Sequence, residues 1–467
     1  MNNSKENRVQ ESIAEQLAAF AVNFDLRKVP DEVIHRAKMC LLDAFGIGLA
    51  SVNFEFGEKI AAGIHAIAGD GEFPVIGMTL KLPQRDAAHL NGTLIHGLDF
   101  DDTHGEAVVH TSASAAPTML IAGLANKASG AQALSAFIIA SECAGRIGAG
   151  AQGGFHEKGF HPTGVVGAFG STFGAGYLAG LTAAQLCDAQ GIVLSQAGGN
   201  MQFLDDGAWT KRNHPGWASF CAQTAVSMAK HGFFGPRDPY EGRFGLYPTH
   251  TKDGRKVAID KLTKGLNESW EMMNIAFKPY PACHMTHAFA DAILAVKRAH
   301  NLTIEDIKHI TALVHVGEQS VICVPEKNKL KPQNSYDAQF SVHYVIATTF
   351  LREKFGLAEL EDDVIADPQI LDLCSRVSFA DDPDSAYPGY FSGAIKVETN
   401  DGKIIEHREQ INRGASENPL SDQDIKDKYF GNATMTISKP QAERLLDIVM
   451  NLDNEDNLDG LAKALTL

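Results

Sequence analysis

The chain lacks a basic surplus, a paired-cysteine motif and a long apolar run, and each absence removes a class of protein. Its 57 acidic against 41 basic residues leave a formal charge of −16. That balance argues against nucleic acid as a partner, because phosphate binding needs a basic footprint. It leaves room for an anionic small substrate, since a few local cations can oppose the global sign. The seven cysteines are far apart, odd in number and form no CxxC pair. They read as reduced thiols of a cytosolic protein, not as a disulfide framework or a zinc module. No apolar run reaches the roughly 18–20 residues that span a bilayer. The polar start MNNSKENRVQESIAEQ is no secretory signal. A soluble cytoplasmic protein without membrane association is expected.

At 467 residues, with 44% hydrophobic and 21% charged residues, the chain is globular in composition and too long for one ordinary core. Residues 8–70 predict helices. In VPDEVIHRAKMCLLDAFGIGLA a Pro-Asp start precedes Val33, Ala37, Leu41, Leu42 and Phe45 at helical spacing. Residues 84–232 are rich in Ala and Gly and again predict helices. There Gly170/Gly174 and Gly176/Gly180 fit helices whose backbones approach closely. The character changes near 270. WEMMNIAFKPYPAC predicts a strand running into a turn, IKHITALVHV another strand, and residues 389–410 a hairpin around Asn400-Asp401-Gly402. After Pro419 helices return. The predicted fold is mainly α: a large helical domain built from 1–271 and 413–467, with a smaller α+β lid domain, 272–412, inserted between them.

Four stretches concentrate chemistry. HGLDFDDTHGEAVVH (96–110) packs three histidines, three aspartates, a glutamate and a threonine into fifteen positions. As one helix it would align His96, Asp99, Thr103 and His110; Gly97 and Gly105 favour a helix–loop–helix equally. Three readings compete: a metal site, which lacks HExxH or CxxC spacing; a solvated acidic loop capping a helix; and a proton-handling or substrate-binding loop, which leads. In GFHEKGFHPTGVVG, His161 stands at a predicted helix start, where it either caps the helix or helps its N-terminus hold an anion. GAWTKRNHPGWAS clusters Lys211, Arg212 and His214 between Trp209 and Trp217. It is either a solvated turn or a half-buried cationic pocket suited to a carboxylate. FKPYPACHMTH places Lys278, Cys283, His284 and His287 around two prolines at the predicted domain junction, a common place for a cleft. GAGAQG (148–153) matches GxGxxG but follows a helical segment, so it is no dinucleotide signal. Cys283 has no protease-type surroundings.

Together, GLDFDDTH with His110, GFHPTGVVGAFGS, DGAWTKRNHPGWAS, HGFFGPRDPYEGRFG and FKPYPACHMTHAFADA, in this order, resemble the MmgE/PrpD family over nearly the whole chain. That family includes 2-methylcitrate dehydratases, cis-aconitate decarboxylases and iminodisuccinate epimerases. The resemblance implies a helical domain with an α+β lid, a homodimer, a site in the cleft between domains, a small polycarboxylate substrate, and no organic cofactor or metal. It implies site positions Asp99, Thr103, His110, His161, Lys211 and Lys278, with Cys283 near the lid's contribution. Three positions depart from the family pattern. Thr111 follows His110 where a proline is common. Cys283, beside His284, stands where cis-aconitate decarboxylases have histidine. Residues 321–324 offer no counterpart to a tyrosine of those decarboxylases.

Dehydration, decarboxylation and epimerisation of such acids all place enolate-like charge beside a carboxylate. Cations near it lower the barrier, a role for Lys211, Lys278 and Arg212. Histidine has the matching unperturbed pKa for a base. The expected assignment gives His161 and His110 the proton transfers, with Lys211 open as a base. Asp99 orients a histidine, and Thr103 donates a hydrogen bond to substrate beside Cys283 and His284. A hydro-lyase of the 2-methylcitrate type leads. An epimerase of an amino- or imino-dicarboxylate follows, then a cis-aconitate decarboxylase; a non-catalytic anion- or metal-binding protein is the different-class alternative.

Overall fold

The computed structural model describes residues 11–205 and 207–467. The predicted helical start at 8–10 and the first residue of the 206–219 motif therefore lie outside the described residues. The fold is mainly helical. Asp31–Ser51 begins after Pro30 with Asp31 and Glu32 in its first turn, where acidic side chains oppose the helix dipole. It is buried from Ala37 to its end. Reciprocal capping boxes start Ile13–Val22 (Ser12 with Glu15), Gly130–Gly150 (Ser129 with Gln132) and Ala183–Leu194 (Thr182 with Gln185). Another starts Asp422–Ala433 (Ser421 with Asp424). Among the described residues no single helix is long and apolar enough to cross a membrane.

Close backbone approach holds the helical part together. A Cβ on Gly170 would lie 2.4 Å from the Ala140 carbonyl oxygen, and one on Gly174 would lie 2.7 Å from that of Ala136. The Pro162–Leu178 helix thus rests directly on Gly130–Gly150, as the spacing of the pair predicts. Gly176/Gly180 differ from expectation: Gly176 faces the Leu186 side chain, and Gly180 follows the helix at φ +66° with open space around it. A second crossing sets Gly92 of Gln84–His96 against Gly216 of Thr210–Lys230, where a Cβ on Gly92 would meet the Gly216 Cα at 2.7 Å.

Buried apolar side chains gather in two large clusters. One draws on 14–277 and 420–465, the other on Phe203 and 280–405. The second covers a four-stranded sheet ordered Val377–Asp381, Ile307–Val314, Gly393–Thr399, Ile404–Glu409. Its first pair is parallel and the others antiparallel, with Ile310 opposite both Val377 and Val397. The last two strands are the expected hairpin, turning through Asn400-Asp401-Gly402 with Gly402 at φ +84°. The strand expected over 270–283 shrinks to Ile275–Ala276. The reason lies just before it: the Glu142 carboxylate accepts the Glu271 and Met272 N–H groups at 3.0 and 2.7 Å, and the chain coils there.

Candidate active site

The acidic stretch is a helix–loop–helix. Gln84–His96 ends at His96, and Thr111–Ala125 begins after His110. Between them Thr103–His104 pairs antiparallel with Ile275–Ala276, which brings Lys278 beneath the loop. Asp102 is buried and accepts from the Ser112 N–H (3.2 Å) and hydroxyl, bracing the second helix. Glu106 pairs with Lys261 at the surface. Asp101 is no solvent residue: fully buried, it lies 2.8 Å from His96 Nδ1 and 3.4 Å from His110 Nδ1.

Asp99 is the hub. Its Oδ1 accepts from Lys211 Nζ at 2.7 Å and Lys278 Nζ at 3.0 Å, and its carbonyl accepts from Lys278 Nζ at 2.8 Å. Lys211 lies in the first turn of Thr210–Lys230, and the Gly92–Gly216 crossing brings that turn down onto the loop. The loop turns at Asp99 with φ +50°, a conformation Asp and Asn tolerate better than other side chains with a Cβ. Burial alone would raise the Asp99 pKa; Lys211 and Lys278 outweigh it and hold it well below the usual carboxylate range. The role expected of Asp99 therefore changes. His110 Nε2 is 4.0 Å from it, while His110 Nδ1 sits 2.8 Å from the Asp102 carbonyl oxygen, which fixes the tautomer instead.

The histidines sit close together and are neutral at neutral pH where burial dominates. His110 and His161 are held well below the ordinary imidazole pKa, chiefly by burial and then by neighbouring charge. His161 precedes Pro162–Leu178, as the His-Pro-Thr start predicts, and its Nδ1 lies 3.0 Å from His214 Nδ1. Burial pushes His214 down to about 4, so it adds no positive charge to the expected cationic cluster. Arg212 is set apart as well. Its Nε donates to the Gly97 carbonyl at 2.7 Å, and its guanidinium lies 4.4 Å from the Phe56 ring centroid and 4.9 Å from that of Tyr336. It braces the loop from behind instead of facing substrate.

A cavity of about 50 Å³ lies among these groups. Asp99, Thr103, His110, His161, Lys211, Lys278, Cys283 and His284 all line it, so both Cys283 and His284 face the site. Burial pushes the Cys283 thiol up to about 11 and His284 down to about 3. Thr103 Oγ1 stands 3.4 Å from His110 Nδ1. Gln339 ties the two sides, donating to the carbonyls of Leu98 (2.7 Å) and Pro281 (3.0 Å). Sequence reasoning gave no role to His156, which precedes His161 in the same motif, and missed the apolar lining of Met201, Phe203, Phe340 and Phe391. It also gave no role to His96, whose place three residues before Asp99 was the available signal. A larger surface cleft of about 410 Å³ shares Val108, His284 and Phe391 with the cavity and so leads toward it.

Buried Lys211 and Lys278, bridged by one carboxylate, face buried imidazoles across a partly open cavity, an arrangement that can hold an anion and accept a proton. The chain belongs to the MmgE/PrpD family: the family's N-terminal domain matches residues 15–257 and its C-terminal domain residues 280–454. The chain is similar to proteins named cis-aconitate decarboxylase. It is 26% identical to the one from Aspergillus terreus, over 99% of this chain and 97% of that protein. It is 26% identical to the one from Mus musculus, over 97% and 93%. With the one from Homo sapiens the identity is 28%, over 97% and 94%. The protein is thus an enzyme of a family whose relatives act on carboxylates.

Proposed function

We propose that the protein is a cofactor-independent lyase that takes a proton from the carbon next to a carboxylate of a small polycarboxylate, most simply a hydro-lyase of the 2-methylcitrate type. The observation that carries this is the Asp99-bridged pair of Lys211 and Lys278 opposite His110 and His161, all lining one cavity. The ammonium groups hold the substrate carboxylate and stabilise the enolate charge that develops on it. Two imidazoles kept neutral by burial are proton acceptors at rest, which suits abstraction as the first step. His161 or His110 takes the proton, the imidazolium so formed returns it to the departing hydroxyl, which leaves as water, and Thr103 orients the substrate. The segment 272–412, whose Cys283 and His284 line the cavity, acts as a lid.

The relatives favour a second reading, decarboxylation of cis-aconitate. That reaction needs a proton donor at carbon. Val321, which lines the cavity in the region where a tyrosine would supply a hydroxyl, offers none. Incubation with a panel of polycarboxylates in D₂O, followed by NMR and mass spectrometry, separates the readings. Loss of water supports the hydro-lyase, loss of CO₂ the decarboxylase, and exchange with retained composition an epimerase. No conversion or exchange of any panel member refutes proton abstraction from these acids.

A further inference from the structure

We propose that His96, His110 and His161 form a binding site for a divalent transition cation of the zinc class, whose occupancy silences the proton transfer proposed above. The three imidazoles come from the end of Gln84–His96 and from the residues just before Thr111–Ala125 and Pro162–Leu178. One nitrogen from each lies within 4.8 Å of the others. The ring centroids are 4.6, 5.7 and 6.1 Å apart. Zinc–nitrogen bonds of about 2.0–2.1 Å, extended by the radius of an imidazole ring, put the centroids of a tetrahedral three-histidine site about 5 Å apart. Shifts of roughly 1 Å or less close this one around an ion.

The remaining ring nitrogens have partners of the kind a metal-bound imidazole uses. His96 Nδ1 faces the Asp101 carboxylate at 2.8 Å, which leaves its buried Nε2 without a hydrogen-bond partner. His110 Nδ1 faces the Asp102 carbonyl oxygen, also at 2.8 Å, and His161 Nδ1 faces His214. Such acceptors behind ligating imidazoles fix their orientation and raise their basicity. Lys211 and Lys278 oppose a cation here, while Asp99 and Asp101 offset them. Asp99 belongs to a second group of close ligand atoms, with His96, Asp101 and His110 and without His161, so the fourth position of the three-histidine site is left to water. An ion so placed occupies the lone pairs that would accept the substrate's proton.

Titrating the chelator-treated protein with Co²⁺ and recording its visible spectrum tests the site. The intense bands of four-coordinate cobalt should appear at one equivalent per chain and vanish on adding Zn²⁺. His96→Gln should weaken binding by roughly 100-fold, and Asp101→Asn by about 10–100-fold, with circular dichroism confirming the fold of each. If His96→Gln does not fold, Asp101→Asn and the wild-type spectrum decide. A pale six-coordinate spectrum, or affinity unchanged in folded variants, overturns the proposal. The spectrum is read without substrate, so its failure leaves the lyase reading standing; likewise, an inert polycarboxylate panel leaves the cation site standing.

Discussion

Asp99→Asn isolates the charge at the centre of the site. Asparagine keeps the size and tolerates the φ of +50°, so the loop retains its course while the carboxylate charge disappears. Lys211 Nζ and Lys278 Nζ, at 2.7 and 3.0 Å from the same oxygen, cannot be more than about 6 Å apart. At an effective dielectric of about 20, two ammonium charges at that separation repel by about 3 kcal/mol, a repulsion that the Asp99 charge offsets and an asparagine does not. Loss of a buried counter-ion should also cost about 3–5 kcal/mol of stability. The assay is the pH profile of kcat/KM on whichever polycarboxylate turns over, beside denaturant unfolding at pH 7. We expect a rate reduced by roughly 10²-fold or more across the profile. An unchanged profile with an unchanged rate would refute the hub role of Asp99.

Three further outcomes are expected. His161→Ala should reduce turnover by about 10²–10⁴-fold with the circular dichroism spectrum retained; near-normal rates would remove His161 from proton transfer. Gly170→Ala places a methyl group 2.4 Å from the Ala140 carbonyl oxygen and should destabilise the protein by about 1–3 kcal/mol, read as a lower denaturation midpoint. Burial holds folded His214 at about 4, below its unfolded value near 6.5. Its stabilising contribution is therefore present above pH 6.5 and is lost as pH falls toward 4, by about 3 kcal/mol. Asp102 and Glu142, raised by burial to about 7, act with the opposite sign. The comparison is thus with His214→Gln, whose stability should fall less over that range.

What was legible in the sequence was local. The Pro-Asp start, the Asn400-Asp401-Gly402 turn and the His161-Pro162 junction each depend on neighbours in the chain, and each stands where expected. The cavity-lining set was legible mainly through the order of several motifs taken together. Contacts between distant segments were not. Arg212 and Lys211 are adjacent in sequence, yet one turns behind the loop and the other into the cavity. That choice is set by Phe56 and Tyr336 on one side and Asp99 on the other. The partner that fixes His110 is a backbone carbonyl, which no side-chain pattern announces. The strand expected over 270–283 failed because Glu142, more than a hundred residues away, takes the backbone groups a strand would have paired.

The cavity of about 50 Å³ has a kinetic consequence. The space around it that no atom fills is about 500 Å³, and the cavity is continuous with the neighbouring cleft through shared lining residues. Substrate and product must therefore pass the side chains that stand between that cleft and the lysines. Substitutions at Val108 or Phe391, which line both the cavity and the cleft, then change the rates of entry and release. The chemistry at the lysines and histidines need not change at all.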